Sequence, residues 1–569
     1  MSSSPRRPRI VEWSLLIGLV GTGLSIAALE WDLSALANAK ERGLALARLQ
    51  SFFGGFGAPD FSSDTLARAG QLALKTFAIS CIGMCLGVAL AYPLALGAAK
   101  SVVLDLEETL PGANRQIRRR LKLVVVELFR LVLDVLRGVP DFVWAILFVI
   151  VVDTGPVAGV LAIGLNAAGI IGKVFSEMWD SVEPRRYESV RAAGASRLKT
   201  LWYGIQPLSV RGMISYTLMR GECAVRNASV IGVVGGGGLG TELWDEFNFG
   251  NYSTTVTFLL ALLALTAAVD LLANLLRYQL RAERGRAKTA ANRGALSAVA
   301  PRIGAGVALV ATVGFCIAIL APEFARLGER PTEWSFLVEE YAPLFTPDVS
   351  AEALGRAAVK STVPLALAFL GTLAALFLAL GLSYPGSLLF QLSVRRLSGE
   401  RPRLWVRVGR FVGWFVARVL ALGFRAIPEV AWILMIGACF RLGTVAGLGA
   451  LVLHSSGVLA RVFTEAIDNV PTGQLERQYR GSRSQTFFYS AIPHAWSTWM
   501  TYGFFQFESN VRMGITLGVI GVGGIGDAFH TCFSVTYDYP RAATYLLAMI
   551  GLTVVIDRFS RALKITRTF

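Results

Sequence analysis

Two stretches of the sequence decide the fold, because each occurs twice. Arg137-Gly-Val-Pro-Asp-Phe-Val-Trp144 returns as Arg425-Ala-Ile-Pro-Glu-Val-Ala-Trp432. Further along, the stretch from Tyr216 to Gly240 returns from Tyr502 to Gly526, with a tyrosine, a glutamate, an arginine and several glycines in the same register. Charged residues at identical spacing inside apolar sequence indicate that the chain contains an internal duplication.

The sequence around these stretches has the composition of a membrane protein. The 569 residues are 54% hydrophobic and 17% charged, whereas a soluble protein carries about 25% charged residues; the mean hydropathy is +0.54. Apolar runs such as 72–99 and 258–276 reach or approach the roughly 20 residues that a bilayer requires. Because hydrocarbon cannot satisfy open backbone groups, these runs predict helices and an all-α membrane protein.

The duplication and the apolar runs together predict about 12 transmembrane helices. The first repeat occupies 1–280, a basic linker 281–302 and the second repeat 303–569. The expected spans lie near 13–29, 72–98, 139–152, 156–176, 207–233 and 253–276, and again near 303–321, 363–390, 428–440, 444–463, 494–520 and 541–560. An even number of spans in each repeat returns the chain to its starting side, so the two repeats are expected to be parallel.

The net charge of +16 comes from basic clusters between the apolar runs. The clusters are Arg115–Lys122, Arg185–Lys199, Arg277–Arg302, Arg395–Arg410 and Arg558–Arg567. Such clusters mark the cytoplasmic side of a membrane protein, which predicts that both termini are cytoplasmic. The same pattern favours contact with anionic lipids over binding of nucleic acid.

Other residue types point away from metal and nucleotide chemistry. The six cysteines and three histidines have no metal-ligand spacing, so the sequence favours neither a metal site nor a disulfide framework. No G-x-x-x-x-G-K-[ST] motif is present, so the chain is not expected to hydrolyse ATP by P-loop chemistry. We predict no cofactor bound by this chain.

A cytoplasmic loop of the first repeat reads Glu188-Ser-Val-Arg-Ala-Ala-Gly194 and continues through Ser196 to Pro207. Its small residues and the following amphipathic stretch predict two short helices that meet at a glycine turn. A hairpin of this kind suits docking into a groove of a soluble partner. A solvated basic loop that only orients the protein is an equally good interpretation of the sequence.

This loop resembles the E-A-A-x-x-x-G loop of permease subunits of ATP-binding-cassette importers, with Glu188 and Gly194 at the family's spacing. Pro140-Asp-Phe-Val-Trp144, the Tyr216-x5-Glu222-x3-Arg226 string and Val233–Gly240 are similar, more narrowly, to the permease of phosphonate and related phosphorus-oxyanion importers. The glycine stretch is also similar to those of methionine and quaternary-amine importers. The resemblance covers nearly all of both repeats.

The resemblance implies two permeases of the type I importer fold, fused head to tail in a bacterial inner (plasma) membrane. Such a chain is a transport subunit and not itself an enzyme. Its implied partners are two nucleotide-binding ATPase subunits, which bind ATP and magnesium on the cytoplasmic side, and an extracytoplasmic substrate-binding protein. The implied solute is a phosphonate, phosphite or phosphate, taken up at the cost of ATP.

The resemblance also assigns residues that couple the permease to the ATPase. They are Glu188, Ala192, Ala193, Gly194 and Ser196 in the first repeat, and Gly481 and Ser482 in the second. Aligned from Pro493, Arg480 occupies the place of Gly194, and arginine is costly where the backbone needs a positive φ. Either Gly481 shifts the turn by one residue, or the second loop couples differently.

Matched charges inside apolar sequence are the second candidate feature. Glu222 and Arg226 are four residues apart, as are Glu508 and Arg512. Each pair can neutralise itself and serve helix packing, or its arginine can line a route between the repeats and bind the oxygens of an anion. The expected pathway residues are Tyr216, Arg220, Glu222, Arg226, Tyr502, Glu508 and Arg512. The second repeat has Gln506 in place of Arg220, which favours the anion hypothesis.

The glycines match the dinucleotide pattern G-x-G-x-x-G in both repeats. That pattern binds a nucleotide only between a strand and a helix, and here it follows a membrane helix. We therefore predict a helix break or gate, which is tolerated at membrane depth where it lines a cavity. The residues are Gly235, Gly237, Gly238, Gly521, Gly523 and Gly524.

Two other classes of function remain open at this point. An ion-coupled secondary carrier would transport without an ATPase, although Asp270 and Asp557 lie near expected cytoplasmic ends and not at mid-membrane. A membrane scaffold without transport would leave the matched buried charges unexplained.

Overall fold

The computed structural model describes residues 10–29, 31, 38–104, 113–289, 295–329, 339, 341–392, 403–470 and 482–565. Every regular element in these ranges is a helix, which confirms the expected all-α fold. The helices up to residue 329 are α1 Ile10–Ala28, α2 Ala39–Gly57, α3 Ser63–Ala98, α4 Lys100–Val103, α5 Ala113–Gly138, α6 Asp141–Val152, α7 Pro156–Asp180, α8 Glu188–Ala192, α9 Arg197–Thr200, α10 Gln206–Ile231, α11 Leu239–Asn248, α12 Tyr252–Thr289 and α13 Ala295–Glu329.

The remaining helices repeat this order. They are α14 Ala351–Gly386, α15 Leu388–Gln391, α16 Leu404–Ala426, α17 Glu429–Phe440, α18 Thr444–Asp468, α19 Arg483–Thr486, α20 Ile492–Leu517, α21 Ile525–His530 and α22 Tyr539–Ile565. Residues 281–289 of the expected linker continue α12, and residues 295–302 begin α13.

Seven of the described helices are long and apolar enough to cross a membrane, and three bent pairs bring the number of possible spans to ten. The expected number was about twelve. The difference lies in α1, whose described side chains begin only at Gly18, and in α10, which carries Arg211, Arg220, Glu222 and Arg226.

Long helices precede the short spans 139–152 and 428–440, where the sequence indicated only basic clusters. These helices are α5 and α16, and they meet the following helices at bends of 87° and 96°. Pro140 and Pro428 stand at the bends with extended backbones. Because proline has no backbone N–H and disfavours a helical residue before it, each proline ends one helix and begins another.

Equivalent residues of the two repeats form equivalent hydrogen bonds. Trp144 Nε1 donates to the carbonyl of Leu136 at 3.3 Å, and Trp432 Nε1 donates to that of Phe424 at the same distance. Ser62 and Ser350 accept a hydrogen bond from the first turn of α3 and α14, respectively. Side-chain acceptors at this position satisfy N–H groups that have no partner within the helix.

The chain forms two compact units, Phe53–Val338 and Met1–Phe52 together with Glu339–Phe569. We call them the 53–338 unit and the 339–569 unit. Each contains the first long helix of the other sequence repeat. In the 339–569 unit, α1 packs on α14, and a Cβ on Gly21 would lie only 2.8 Å from the Phe369 ring.

The 53–338 unit contains the reciprocal arrangement, in which α13 packs on α3. Cys316 and Leu320 of α13 are fully buried in the hydrophobic core of this unit. Lys75 Nζ also lies 3.2 Å from Glu323 Oε1. The compact units therefore differ from the sequence repeats by an exchange of their first helices.

Candidate functional site

The loop between α7 and α10 forms two short helices, α8 and α9, joined at Gly194. The φ of Gly194 is +79°, and its N–H donates to the carbonyl of Arg191 at 2.9 Å. Glu188, Ala192, Ala193, Gly194 and Ser196 are all exposed. The candidate coupling residues therefore lie together on one accessible tip.

Contacts at the base of this loop hold the tip in place. Arg191 Nη2 donates to the Ser101 carbonyl at 3.3 Å, and Arg197 Nη1 donates to the Val103 carbonyl at 3.0 Å. Tyr187 is buried against Gly204, where an added Cβ would approach it to 2.7 Å. The sequence did not indicate these arginine contacts, because their partners lie about 90 residues earlier, in α4.

The second repeat rebuilds the base of the loop with a variation. Ser482 occupies the N-cap of α19 with nearly the backbone angles of Ser196 before α9, and Arg483 Nη1 donates to the Phe390 carbonyl at 2.8 Å. Ser482 and Gln485 form a reciprocal capping box, which satisfies two N–H groups of the first turn. Gly481 lies outside the described residues, so the turn geometry of the second loop stays a prediction.

A buried charge network joins α10 to α12. Glu222 accepts from Arg226 Nη2 at 3.0 Å and, through its other oxygen, from Arg277 Nη2 at 3.0 Å. Arg226 Nη2 also lies 3.4 Å from Asp270 Oδ1. All four side chains are less than one-fifth exposed. This network favours the helix-packing interpretation of Arg226 over the pathway interpretation.

The second repeat has the corresponding pair, with Arg512 Nη2 at 3.2 Å from Glu508 Oε1. Asp557, which corresponds to Asp270, is buried on α22. Sequence reasoning found the pairs within one helix and missed Asp270 and Arg277 as their partners. The recurrence of an aspartate at 270 and 557 was the available signal.

Arg220 is in a different situation from Arg226. It is half-buried in α10, and no hydrogen bond or ion pair joins its guanidinium to any residue in the described ranges. Its electrostatic neighbours are Tyr216, Cys223, Asp141 and Arg137. Asp141 accepts a hydrogen bond from Asn227.

One further cation, Lys173, is joined to this group through Asp134. Lys173 Nζ and Arg137 Nη2 both donate to Asp134 Oδ1, at 2.6 and 3.3 Å. Sequence reasoning missed Lys173 and Asp134, which lie in separate helices. The aspartate has no counterpart in the second repeat, where Leu422 occupies its place.

At the position of Arg220, the second repeat has a neutral network instead. Gln506, which corresponds to Arg220, is buried and donates to Ser455 Oγ at 3.1 Å and Asn510 Oδ1 at 3.0 Å. Asn510 donates in turn to Thr372 Oγ1 at 2.9 Å. Of the two predicted tyrosines, Tyr216 packs against the core of its unit, whereas Tyr502 is exposed. The two repeats therefore share a fold and differ in charge at this position.

The glycine stretches end α10 and α20 with the same backbone geometry. Gly235, Gly237 and Gly238 have φ of +94°, +74° and +86°, and Gly521, Gly523 and Gly524 have +100°, +91° and +86°. Only glycine adopts this region freely. Each stretch follows a helix and leads into a short helix, α11 or α21, so it lacks the strand that a dinucleotide site requires.

The helices after the breaks pack closely on the helices before them. A Cβ on Gly240 would lie 2.0 Å from the Ser229 carbonyl oxygen, and a Cβ on Gly526 would lie 2.0 Å from that of Ile515. The backbone N–H of Leu239 donates to Thr76 Oγ1 at 2.8 Å, which fixes the first turn of α11 against α3.

Comparison with known proteins identifies the family of this architecture. The family described as "binding-protein-dependent transport system inner membrane component" matches residues 116–282 and again 404–564. The phosphate-import permease protein PhnE of Mycolicibacterium smegmatis is 27% identical over 504 residues, which cover 87% of this chain and 85% of that protein.

Two shorter relatives match only part of the chain. The putative phosphite transport system permease protein HtxC of Stutzerimonas stutzeri is 33% identical over 255 residues, 45% of this chain and 83% of its own length. The putative cryptic phosphonate transport system permease protein PhnE2 of Escherichia coli is 34% identical over 117 residues, 21% of this chain and 96% of its own length. No solved structure matches significantly.

These matches confirm the resemblance to importer permeases and the type I permease fold, and they place the chain in the inner membrane as a multi-pass transport subunit. The matched ranges contain the candidate loop, the charge network and the glycine breaks of the first repeat, and their described counterparts in the second. The chain belongs to the family of binding-protein-dependent transport system inner membrane components and carries the family's domain twice.

Proposed function

We propose that this chain is the permease of an ATP-driven importer and moves a small phosphorus oxyanion, namely a phosphonate, phosphite or phosphate. Two relatives that match this chain over most of their own length are named for phosphate and phosphite transport. Both termini are cytoplasmic in this proposal, because the basic clusters mark that side. An extracytoplasmic binding protein delivers the solute, and two ATPase subunits bind ATP and magnesium.

The observation that carries the proposal is that the guanidinium of Arg220 has no hydrogen-bond or ion-pair partner among the residues that the structure describes. An ionised side chain inside a membrane helix is costly and usually marks the path of an ion or substrate. A guanidinium presents a planar set of donors that matches phosphoryl oxygens. Arg226 and Arg512 have carboxylate partners, whereas the half-buried Arg220 can bind an incoming anion without first breaking an ion pair to a described residue.

Uptake by an Arg220→Gln variant tests this assignment. The change introduces the residue that the second repeat already has at this position, so the membrane fold is expected to persist. We expect uptake to fall about tenfold or more, because a hydrogen bond to a charged group contributes about 1.5–3 kcal/mol and 1.4 kcal/mol is a factor of ten. The measurement is uptake of labelled phosphate, phosphite and a phosphonate into vesicles containing the complete importer.

Arg211→Gln is the matched control, since Arg211 lies on the same helix and is exposed. Wild-type uptake by the Arg220 variant would refute the anion-binding role. Uptake of methionine or a quaternary amine, with none of the three phosphorus anions transported, would refute the proposed solute class. Transport by this chain alone, in vesicles without ATP, would favour an ion-coupled carrier.

The exposed tip at 188–196 is the proposed contact with the ATPase. Glu188→Ala is expected to leave the fold intact, because the side chain is exposed, and to weaken ATPase binding and uptake together. Glu183→Ala is the control: Glu183 is also exposed, but it lies before the tip and pairs with Arg186 at 3.7 Å. Equal retention of the ATPase subunit by both variants during purification would contradict the role of Glu188.

A further inference from the structure

The N-terminal halves of α5 and α16 extend past the helices on which they pack. Arg130 Nε donates to the carbonyl of Ala98 at 3.1 Å, and its Nη2 lies 3.0 Å from Asp180 Oδ2. Ala98 and Asp180 are the last residues of α3 and α7. From Arg130 onwards α5 runs back along α7, since an added Cβ on Gly172 would meet Leu133 and one on Gly169 would meet Leu136.

Residues 116–128 of α5 therefore lie beyond the ends of α3 and α7. The second repeat has the same arrangement: Arg418 Nε donates to the Gly386 carbonyl at 2.8 Å, and Nη2 lies 3.1 Å from Asp468 Oδ2. Gly386 and Asp468 end α14 and α18. Residues 404–415 thus extend beyond these helices in the 339–569 unit.

Both extensions carry an exposed apolar stripe with identical spacing. The stripe residues are Ile117, Leu121, Val124, Val125 and Leu128 in α5, and Leu404, Val408, Phe411, Val412 and Phe415 in α16. Positions i, i+4, i+7, i+8 and i+11 fall on one face of a helix. Each of these ten side chains is at least two-fifths exposed, so neither unit covers its own stripe.

Basic residues occupy the other faces of the same segments. Arg118, Arg119, Arg120 and Lys122 accompany the first stripe, and Arg403, Arg407 and Arg410 accompany the second. Arg119 lies nearly opposite the α5 stripe, because it follows Ile117 by about 200° of helical rotation at 3.6 residues per turn, whereas Arg118, Arg120 and Lys122 flank the stripe. A helix with an apolar face and a basic face suits the boundary between acyl chains and anionic headgroups.

We propose that residues 116–128 and 404–415 are a pair of amphipathic anchors that bind the anionic cytoplasmic surface of the bilayer. The stripe inserts among the upper acyl segments, and the basic residues contact headgroup phosphates. The bends of 87° and 96° at the far ends of these helices let α6 and α17 enter the membrane in a different direction. The anchors would act whichever solute the protein transports.

Retention of anionic lipid tests the basic face. The full chain is purified from vesicles of mixed phosphatidylglycerol and phosphatidylcholine, and bound lipids are counted by native mass spectrometry. Arg118→Gln with Arg119→Gln should lower phosphatidylglycerol retention several-fold, because each basic residue near an anionic surface adds to the attraction. The matched control is Arg185→Gln with Arg186→Gln, an exposed arginine pair without an apolar stripe. Equal retention by the two double variants would overturn the proposal.

Trp405 tests the depth of the second anchor, because it is 70% exposed beside the α16 stripe. The difference in fluorescence between the wild-type chain and Trp405→Phe isolates its signal. Lipids brominated near the headgroup should quench that signal more strongly than lipids brominated near the chain ends. Stronger deep quenching would indicate a spanning helix instead. Quenching only by aqueous iodide, with protection on adding the ATPase subunit, would assign this surface to a protein partner; either result overturns the proposal.

Discussion

Glu222 illustrates how one carboxylate can hold two helices together inside a membrane. Its two oxygens accept from Arg226 on its own helix and Arg277 on α12. The Glu222–Arg226 spacing was visible in the sequence, because four residues bring two side chains onto one helical face. Arg277 is 55 positions away, and no local pattern could predict that contact.

Replacement of Glu222 should therefore act on stability more than on transport chemistry. Glu222→Gln leaves two buried arginines without a full counter-charge, and breaking a buried ion pair typically costs about 3–5 kcal/mol. We expect a clear fall in the unfolding temperature of the detergent-solubilised protein. The control Glu183→Gln removes an exposed ion pair, which contributes at most about 1 kcal/mol. An unchanged unfolding temperature for Glu222→Gln would show that the network does not stabilise the fold.

At the scale of the element, the broken helices show what glycine spacing can and cannot predict. The recurrence of Gly235, Gly237 and Gly238 at Gly521, Gly523 and Gly524 located the breaks, because few other residues accept a positive φ. It did not predict that Gly240 and Gly526 let α11 and α21 lie against the preceding helices. Those contacts depend on how the chain turns after each break.

Alanine substitutions test the close packing at Gly240. Gly240→Ala should prevent correct packing of α11, because the new Cβ would lie 2.0 Å from a backbone oxygen. No atom lies within 4 Å of a Cβ built on Gly221. Gly221→Ala should therefore stabilise α10 by about 0.5–1 kcal/mol. Thermal unfolding of both variants measures the difference. Equal unfolding temperatures would contradict the close packing at Gly240.

The candidate coupling loop at 188–196 offers a purely conformational test at the same scale. No atom lies within 4 Å of a Cβ built on Gly194, yet its φ is +79°. Gly194→Ala should therefore strain the turn by about 1–2 kcal/mol without a steric clash. We expect ATP hydrolysis by the assembled importer to become less dependent on solute uptake, measured as phosphate released per solute transported. An unchanged ratio would mean that the turn geometry does not contribute to coupling.

At the scale of the whole molecule, duplication predicted two similar bundles but not which helices complete each one. The apolar sequences of α1 and α13 specify membrane helices without specifying a neighbour. The contacts show that α13 supplies Cys316 and Leu320 to the core of the 53–338 unit. Sequence periodicity does not predict which unit a helix packs against, because that depends on contacts between segments that are distant in the sequence.

Dividing the chain within the linker tests this exchange. A fragment of residues 1–290 lacks α13 and should aggregate or unfold at a lower temperature, because the core around Leu320 is uncovered. Co-expression with residues 291–569 should restore a stable complex in which both fragments purify together. Size-exclusion chromatography in detergent distinguishes the outcomes. A stable, monomeric 1–290 fragment would show that the exchanged helix is dispensable.

The exchanged helices also determine which copies can associate. If the repeats were separate polypeptides, each could exchange its first helix with a second molecule of the same kind. Such assemblies would have two arginines or two glutamines at the positions of Arg220 and Gln506. A single chain brings the unlike halves together at high effective concentration. Covalent fusion thus enforces heterotypic assembly, so that every finished molecule contains one arginine and one glutamine at these two positions.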